Sequence, residues 1–146
     1  MKASLATTLR MVAVGLVSVA LMSCSTMGER EGRSGKLARY EAAAGEPVRH
    51  FNYLSLYSWE PLSDGALAIW TRPKEAWLLT VTQPCFDLSF VQSIGLSAVL
   101  GNNVGTMDYV LAGKQRCRII TIRPLHLDKL RESRQKSSFQ SPSGGT

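Results

Sequence analysis

Residues 63–82 read Ser63-Asp-Gly-Ala-Leu-Ala-Ile-Trp-Thr-Arg-Pro-Lys-Glu-Ala-Trp-Leu-Leu-Thr-Val-Thr82. Two short apolar runs, 66–71 and 76–82, are bounded by turn residues. Ser63-Asp64-Gly65 forms a turn, because Gly supplies positive φ and Asp tolerates it. Arg72-Pro73-Lys74 forms another, because Pro presets φ at a turn position. Asp-Gly between two such runs is a strong short-range hairpin signal. The stretch predicts neighbouring antiparallel strands.

Toward the N-terminus, Asn52-Tyr-Leu-Ser-Leu-Tyr-Ser-Trp59 alternates with period two. That places Leu54 and Leu56 on one strand face and Tyr53, Tyr57 and Trp59 on the other. With the two apolar runs, it predicts a three-stranded meander. Toward the C-terminus, Pro84 stops the third strand. Asp87 caps a predicted short helix through Ile94, with Phe86, Phe90 and Ile94 at spacing four and Gly95 as its stop. Gly101-Asn-Asn103 is a turn. Residues 107–111 and 116–122 pair as a second hairpin, and Pro124 opens a last helix carrying Leu127 and Leu130. The expected fold is mainly β (α+β): a small curved antiparallel sheet or partial barrel of five or six strands, with one or two short helices.

The N-terminus reads as an address. Residues 1–10 carry Lys2 and Arg10 and no acid, and residues 11–22 are almost wholly apolar. A run of that length is short of the roughly 20 residues a bilayer-spanning helix needs. A basic start followed by a short apolar run is the pattern of a signal peptide. Leu21-Met22-Ser23-Cys24 resembles the lipobox of bacterial lipoproteins. That resemblance implies cleavage before Cys24 and acylation of that cysteine. Several acyl chains on one residue make attachment effectively permanent. Ser25 lacks the Asp that marks retention in the inner membrane. The expected location is the outer membrane, lipid-anchored and facing the periplasm.

The expected organisation is a signal peptide over 1–23, a lipidated flexible tether over 24–46, a disulfide-bonded β-rich domain over 47–135, and a disordered tail over 136–146. The tether assignment rests on mixed charge and glycine content. Within it, residues 37–44 have the composition for a turn or two of helix. Removing the signal peptide leaves 15 basic against 11 acidic residues, a net +4. That mild excess is not the dense basic stripe of a nucleic-acid binder. Three cysteines are an odd number for an exported chain. If Cys24 carries lipid, Cys85 and Cys117 remain as a pair. A bridge between them closes a loop of about 30 residues, worth ~3–4 kcal/mol in the chain-entropy model. The competing reading is two free buried thiols.

The core also resembles a family of short Gram-negative envelope proteins recorded only as a domain of unknown function. The resemblance runs over residues 50–124. It is carried by Trp59, Leu67-Ala-Ile69, Trp77-Leu-Leu-Thr80, Pro84-Cys-Phe-Asp-Leu88, Ser93-Ile-Gly-Leu96, Met107-Asp-Tyr-Val110 and Arg116-Cys-Arg-Ile-Ile-Thr-Ile-Arg-Pro124. It implies a periplasmic location and a disulfide, and it brings no catalytic residues.

No pattern asks for catalysis or for a cofactor. His50 and His126 stand far apart, and no clustered metal-ligand spacing is present. His-Glu-x-x-His, Gly-x-Ser-x-Gly and Gly-x-Gly-x-x-Gly are absent. Asp108 lies in a strand, where acids are uncommon; it is either a buried acid with a partner or one facing solvent or bonded to a turn. Arg116, Arg118 and Arg123 form either a basic strip or a solvated strand face. Tyr53, Tyr57 and Trp59 are the candidate binding face, with Trp70 and Trp77 on the next strands; the competing reading is that these rings fill a small core. The expectation is a non-catalytic interaction or structural accessory of the cell envelope, with a membrane and an envelope protein as partners. The alternative is a module that binds cell-wall glycan through the aromatic face.

Overall fold

The structure, a computed structural model, describes residues 27–98 and 101–140. The expected signal peptide and Cys24 lie outside the described residues. The chain divides into two compact units, Met1–Gly32 and Arg33–Thr146. Of the first, only the opening turns of helix α1 (Met27–Ala43) are described. The second holds the rest of α1, the strands and the C-terminal helix.

The predicted turns are where the hairpins form. Strands β2 (Ser58–Ser63), β3 (Ala66–Arg72) and β4 (Glu75–Val81) make the meander. Trp59 stands opposite Ile69, and Leu67 opposite Leu79. Gly65 does not use the positive φ that the turn reading expected; a Cβ there would run into the Gln83 side chain. The second hairpin joins β7 (Tyr109–Ala112) to β8 (Gln115–Pro124), with Gly113 at φ +58° in its turn. Strand β8 pairs with β4, Leu79 opposite Ile122, and so joins the two hairpin systems. With β5 (Ile94–Leu96) on β7, the order is β2-β3-β4-β8-β7-β5, antiparallel throughout. The fold is mainly β, a curled six-stranded half-barrel, as the strand and turn pattern led us to expect. A two-stranded sheet of β1 (His50–Asn52) and β6 (Asn103–Gly105) accompanies it.

Two cores sit on the two faces of the large sheet. The inner one gathers Leu67, Ile69, Leu79, Val81, Ile119 and Ile122 with Phe51 and Val104 of the small sheet. Phe51 stacks on Trp77 with ring centroids 5.0 Å apart. The Cys85–Cys117 disulfide lies in this core, with Cα atoms 6.0 Å apart. The outer core sets Ala66, Ala68, Ala76 and Leu78 against Tyr40 and Ala43 of α1 and Leu130 of α2 (Leu127–Gln140). Alanines on this face are what let helices lie close to the strands. Trp70 meets Tyr40 edge to face at 6.5 Å.

Four expectations change. Residues 27–43, expected as tether, are helical, because Leu37, Tyr40 and Ala43 recur at helical spacing and face the outer core. Residues 52–59 are not one strand: β1 pairs with β6 and β2 with β3, so the chain leaves one partner before taking the other. Leu54 is 71% exposed in that crossing. The helix expected through Ile94 is a single 3-10 turn, Phe86–Ser89. Its supposed apolar face is exposed, Phe86 at 59% and Phe90 at 81%, while Leu88 is buried. Asp87 is held instead by the second hairpin: its N–H donates to Gln115 Oε1 at 2.9 Å, and its Oδ2 accepts from Lys114 N at 3.3 Å. Finally, Pro124 ends β8 rather than opening a helix, and α2 extends into the expected tail as far as Gln140.

The alanine face gives a direct test. Ala68 is fully buried between β3 and the helix side. Ala68→Leu overfills that layer and is expected to cost about 1–3 kcal/mol in urea unfolding. Ala38→Leu, on the exposed side of α1, is expected to change stability by less than about 0.5 kcal/mol.

Candidate functional site

A groove of about 420 Å³ is lined by Arg49, His50, Asn103, Thr106, Met107 and Asp108. It sits where β1 and β6 meet the turn into β7. Asp108, only 4% exposed, builds that turn. Its Oδ2 accepts from Gly105 N at 2.8 Å, and its Oδ1 accepts from Ser97 Oγ at 3.4 Å. Ser97 Oγ in turn accepts from Tyr109 N at 2.8 Å. Both sequence readings of Asp108 meet here: it is a buried acid, and it is bonded to a turn. Its carboxylate is committed to backbone and hydroxyl donors that hold β5, β6 and β7 together.

The aromatic residues separate. Trp59 and Tyr53 are half-buried against the inner core, and Tyr57 is exposed. Only Trp59 of the three belongs to a strand. Trp77 faces the inner core and Trp70 the outer one. His50 is in β1 and His126 lies between β8 and α2. Among the described residues, no group of three His, Cys, Asp or Glu could hold a metal ion.

The arginines divide as well. Arg123 Nε donates to Gly45 O at 2.8 Å, and its Nη2 donates to Ala44 O at 3.2 Å. A cation on carbonyls just past the C-terminal end of α1 suits the negative end of the helix dipole. Arg116 and Arg118 are exposed on β8. The Arg116 guanidinium lies 4.9 Å from the centre of the Tyr109 ring. Arg118 Nε donates to Thr106 O at 3.4 Å, and Nη2 reaches Met107 Sδ at 3.5 Å. A bulge opposite Thr80 and Val81 places Ile120 between these residues and Arg123, so the three arginines do not form one basic strip, and Arg116 and Arg118 lie on a solvated strand face.

A polar network on the helix side had no signal in the sequence pattern. Tyr40 Oη donates to Glu60 Oε2, and Arg134 Nη2 donates to Tyr40 Oη at 2.8 Å. Lys36 Nζ lies 2.6 Å from Glu60 Oε1. The network joins α1, β2 and α2, residues far apart in the chain. Burial, together with the hydrogen bond to Glu60 and its charge, pushes the Tyr40 hydroxyl up to about 12. Burial alone would raise Glu60. The hydrogen bonds from Lys36 and Tyr40, with the charges of Lys36 and Arg134, outweigh it and hold the carboxyl below its ordinary value. Such shifts accompany structural ion-pair networks as well as active sites; here the partners tie helices to sheet.

The signs set a pH window. The Glu60 contribution is present above its unfolded value of 4.5 and is lost as pH falls through the lower folded value. The Tyr40 contribution is present below 10.0 and is lost as pH rises toward about 12. Melting temperature is expected to fall at both ends, and Glu60→Gln is expected to flatten the acid limb. An acid limb identical in both proteins would contradict the network.

The sequence model of a family of unknown function (DUF6491) matches residues 7–140. No curated protein and no solved structure matches the chain. The match takes in α1, both sheets and α2, more than the resemblance over residues 50–124. The chain belongs to DUF6491, a family of unknown function.

Proposed function

We propose that this chain is an exported, lipid-anchored and non-catalytic accessory of the cell envelope, held at the outer membrane through Cys24 and facing the periplasm. The observation that carries this reading is the Cys85–Cys117 bridge inside the inner core. Disulfides persist in oxidising compartments and are rare in the cytosol. The bridge also accounts for the odd cysteine count, since it leaves Cys24 for the lipid. The basic start, the apolar run and Leu21-Met-Ser-Cys24 supply the export and anchoring signals. The accessory role is supported by how the polar groups are used: Asp108, Glu60 and Arg123 are each engaged in holding elements together. The glycan-binding alternative has less to draw on, because Tyr53 and Trp59 pack against the core and Tyr57 alone is exposed.

Metabolic labelling with an alkyne-bearing palmitate tests the anchor. The natural chain is expected to take up label and fractionate with membranes, and Cys24→Ala is expected to take up none. Label retained in Cys24→Ala would sink the assignment. Alkylation of intact cells, followed by mass measurement with and without reductant, is expected to find Cys85 and Cys117 protected until reduced.

A further inference from the structure

We propose that the outer face of β7 and β8 lies on an anionic phospholipid bilayer. On the half of the sheet formed by β2, β3 and β4, the outer face is covered by α1 and α2. No residue of β5 or β7 enters that outer core. Across β7 and β8, Tyr109 stands opposite Arg118, and Leu111 opposite Arg116. All four point away from the inner core, which takes Val110, Ala112, Cys117 and Ile119 instead. The bulge opposite Thr80 and Val81 leaves Ile120 outside the ladder and 52% exposed. Met107, 71% exposed, borders the same patch through Arg118.

The chemistry of this face is cationic and apolar together. Strands β5, β7 and β8 contain no Asp or Glu. Arg116 and Arg118 are oriented by neutral groups, a phenol ring, a carbonyl and a thioether, so their charges stay available for an anion. Guanidinium suits phosphate geometry. The exposed Ile120, Leu111 and Met107 suit the boundary below a headgroup layer, which an acidic protein surface does not offer. Proximity comes from the anchor, so this part rests on the proposed lipidation of Cys24. Between Cys24 and Arg33 even a fully extended chain reaches only about 30 Å. Attraction to anionic lipid falls off within a Debye length of about 8 Å at physiological salt.

Hydroxyl-radical footprinting on nanodiscs tests this with the full chain as purified from cells. Protein recovered from membranes is reconstituted in discs of phosphatidylcholine alone or discs rich in phosphatidylglycerol. Protein recovered from the soluble fraction counts against the anchor, yet it is added to the same discs, so the face is still read. Oxidation of Met107 and Ile120 is expected to slow severalfold on the phosphatidylglycerol discs, while exposed Leu54 serves as reference. Arg116→Glu with Arg118→Glu is expected to abolish the protection, and Arg116→Lys with Arg118→Lys to keep it. Equal oxidation on both discs, or protection surviving the charge reversal, overturns the proposal. Should the reversed variant lose its disulfide, high salt decides: protection that persists there overturns the proposal, and its loss supports it.

Discussion

Strands β4 and β8 are the pairing on which the rest of the molecule hangs. β4 ends a meander built from local contacts, and β8 ends a hairpin far along the chain. Leu79 and Ile122 face each other across this join, both fully buried. The pairing makes one sheet out of two hairpin systems and so creates the inner core. Closing so long a loop costs entropy before any contact rewards it. The Cys85–Cys117 bridge ties the segment just after β4 to β8 and removes part of that cost from the unfolded chain.

The same join decides what each face of the sheet does. On the β2–β4 side, alanines draw α1 and α2 against the strands, and Glu60 fastens both helices through Tyr40, Lys36 and Arg134. At the bulge opposite Thr80 and Val81 the ladder slips. Bulges bend and twist a strand and re-aim its side chains. Arg123 thus falls among the helix-side contacts, while Arg116 and Arg118 stay outward.

The turns were the legible part of the sequence. Asp64-Gly65, Pro73-Lys74 and Gly113-Lys114 each sit between paired strands, because turn chemistry is local and reads locally. The cysteine pairing was legible through arithmetic. What failed depended on tertiary partners. The alternation in residues 52–59 matched a strand, yet the chain there passes between two sheets. Phe86 and Phe90 matched a helical stripe, yet Asp87 is drawn onto the β7–β8 turn. Helix α1 was underestimated because its apolar stripe is short, and its worth comes from the alanine face that receives it. Of the candidate site, Tyr53 and Trp59 pack against the inner core while Tyr57 is exposed, because the chain between β1 and β2 does not keep one strand face. Asp108 showed only as an acid out of place in a strand.

Native-state hydrogen exchange tests the central role of the β4–β8 join most directly. Amides that open only with global unfolding exchange at the free energy of the whole protein. The ladder amides of Leu78 and Arg123, which face each other across the join, are expected to belong to that slowest class, while those of the edge strands β2 and β5 open by smaller local events. Exchange of the β4–β8 amides at the rate of the edge strands, or ahead of the β2–β3 hairpin, would contradict the claim that this join holds the fold together.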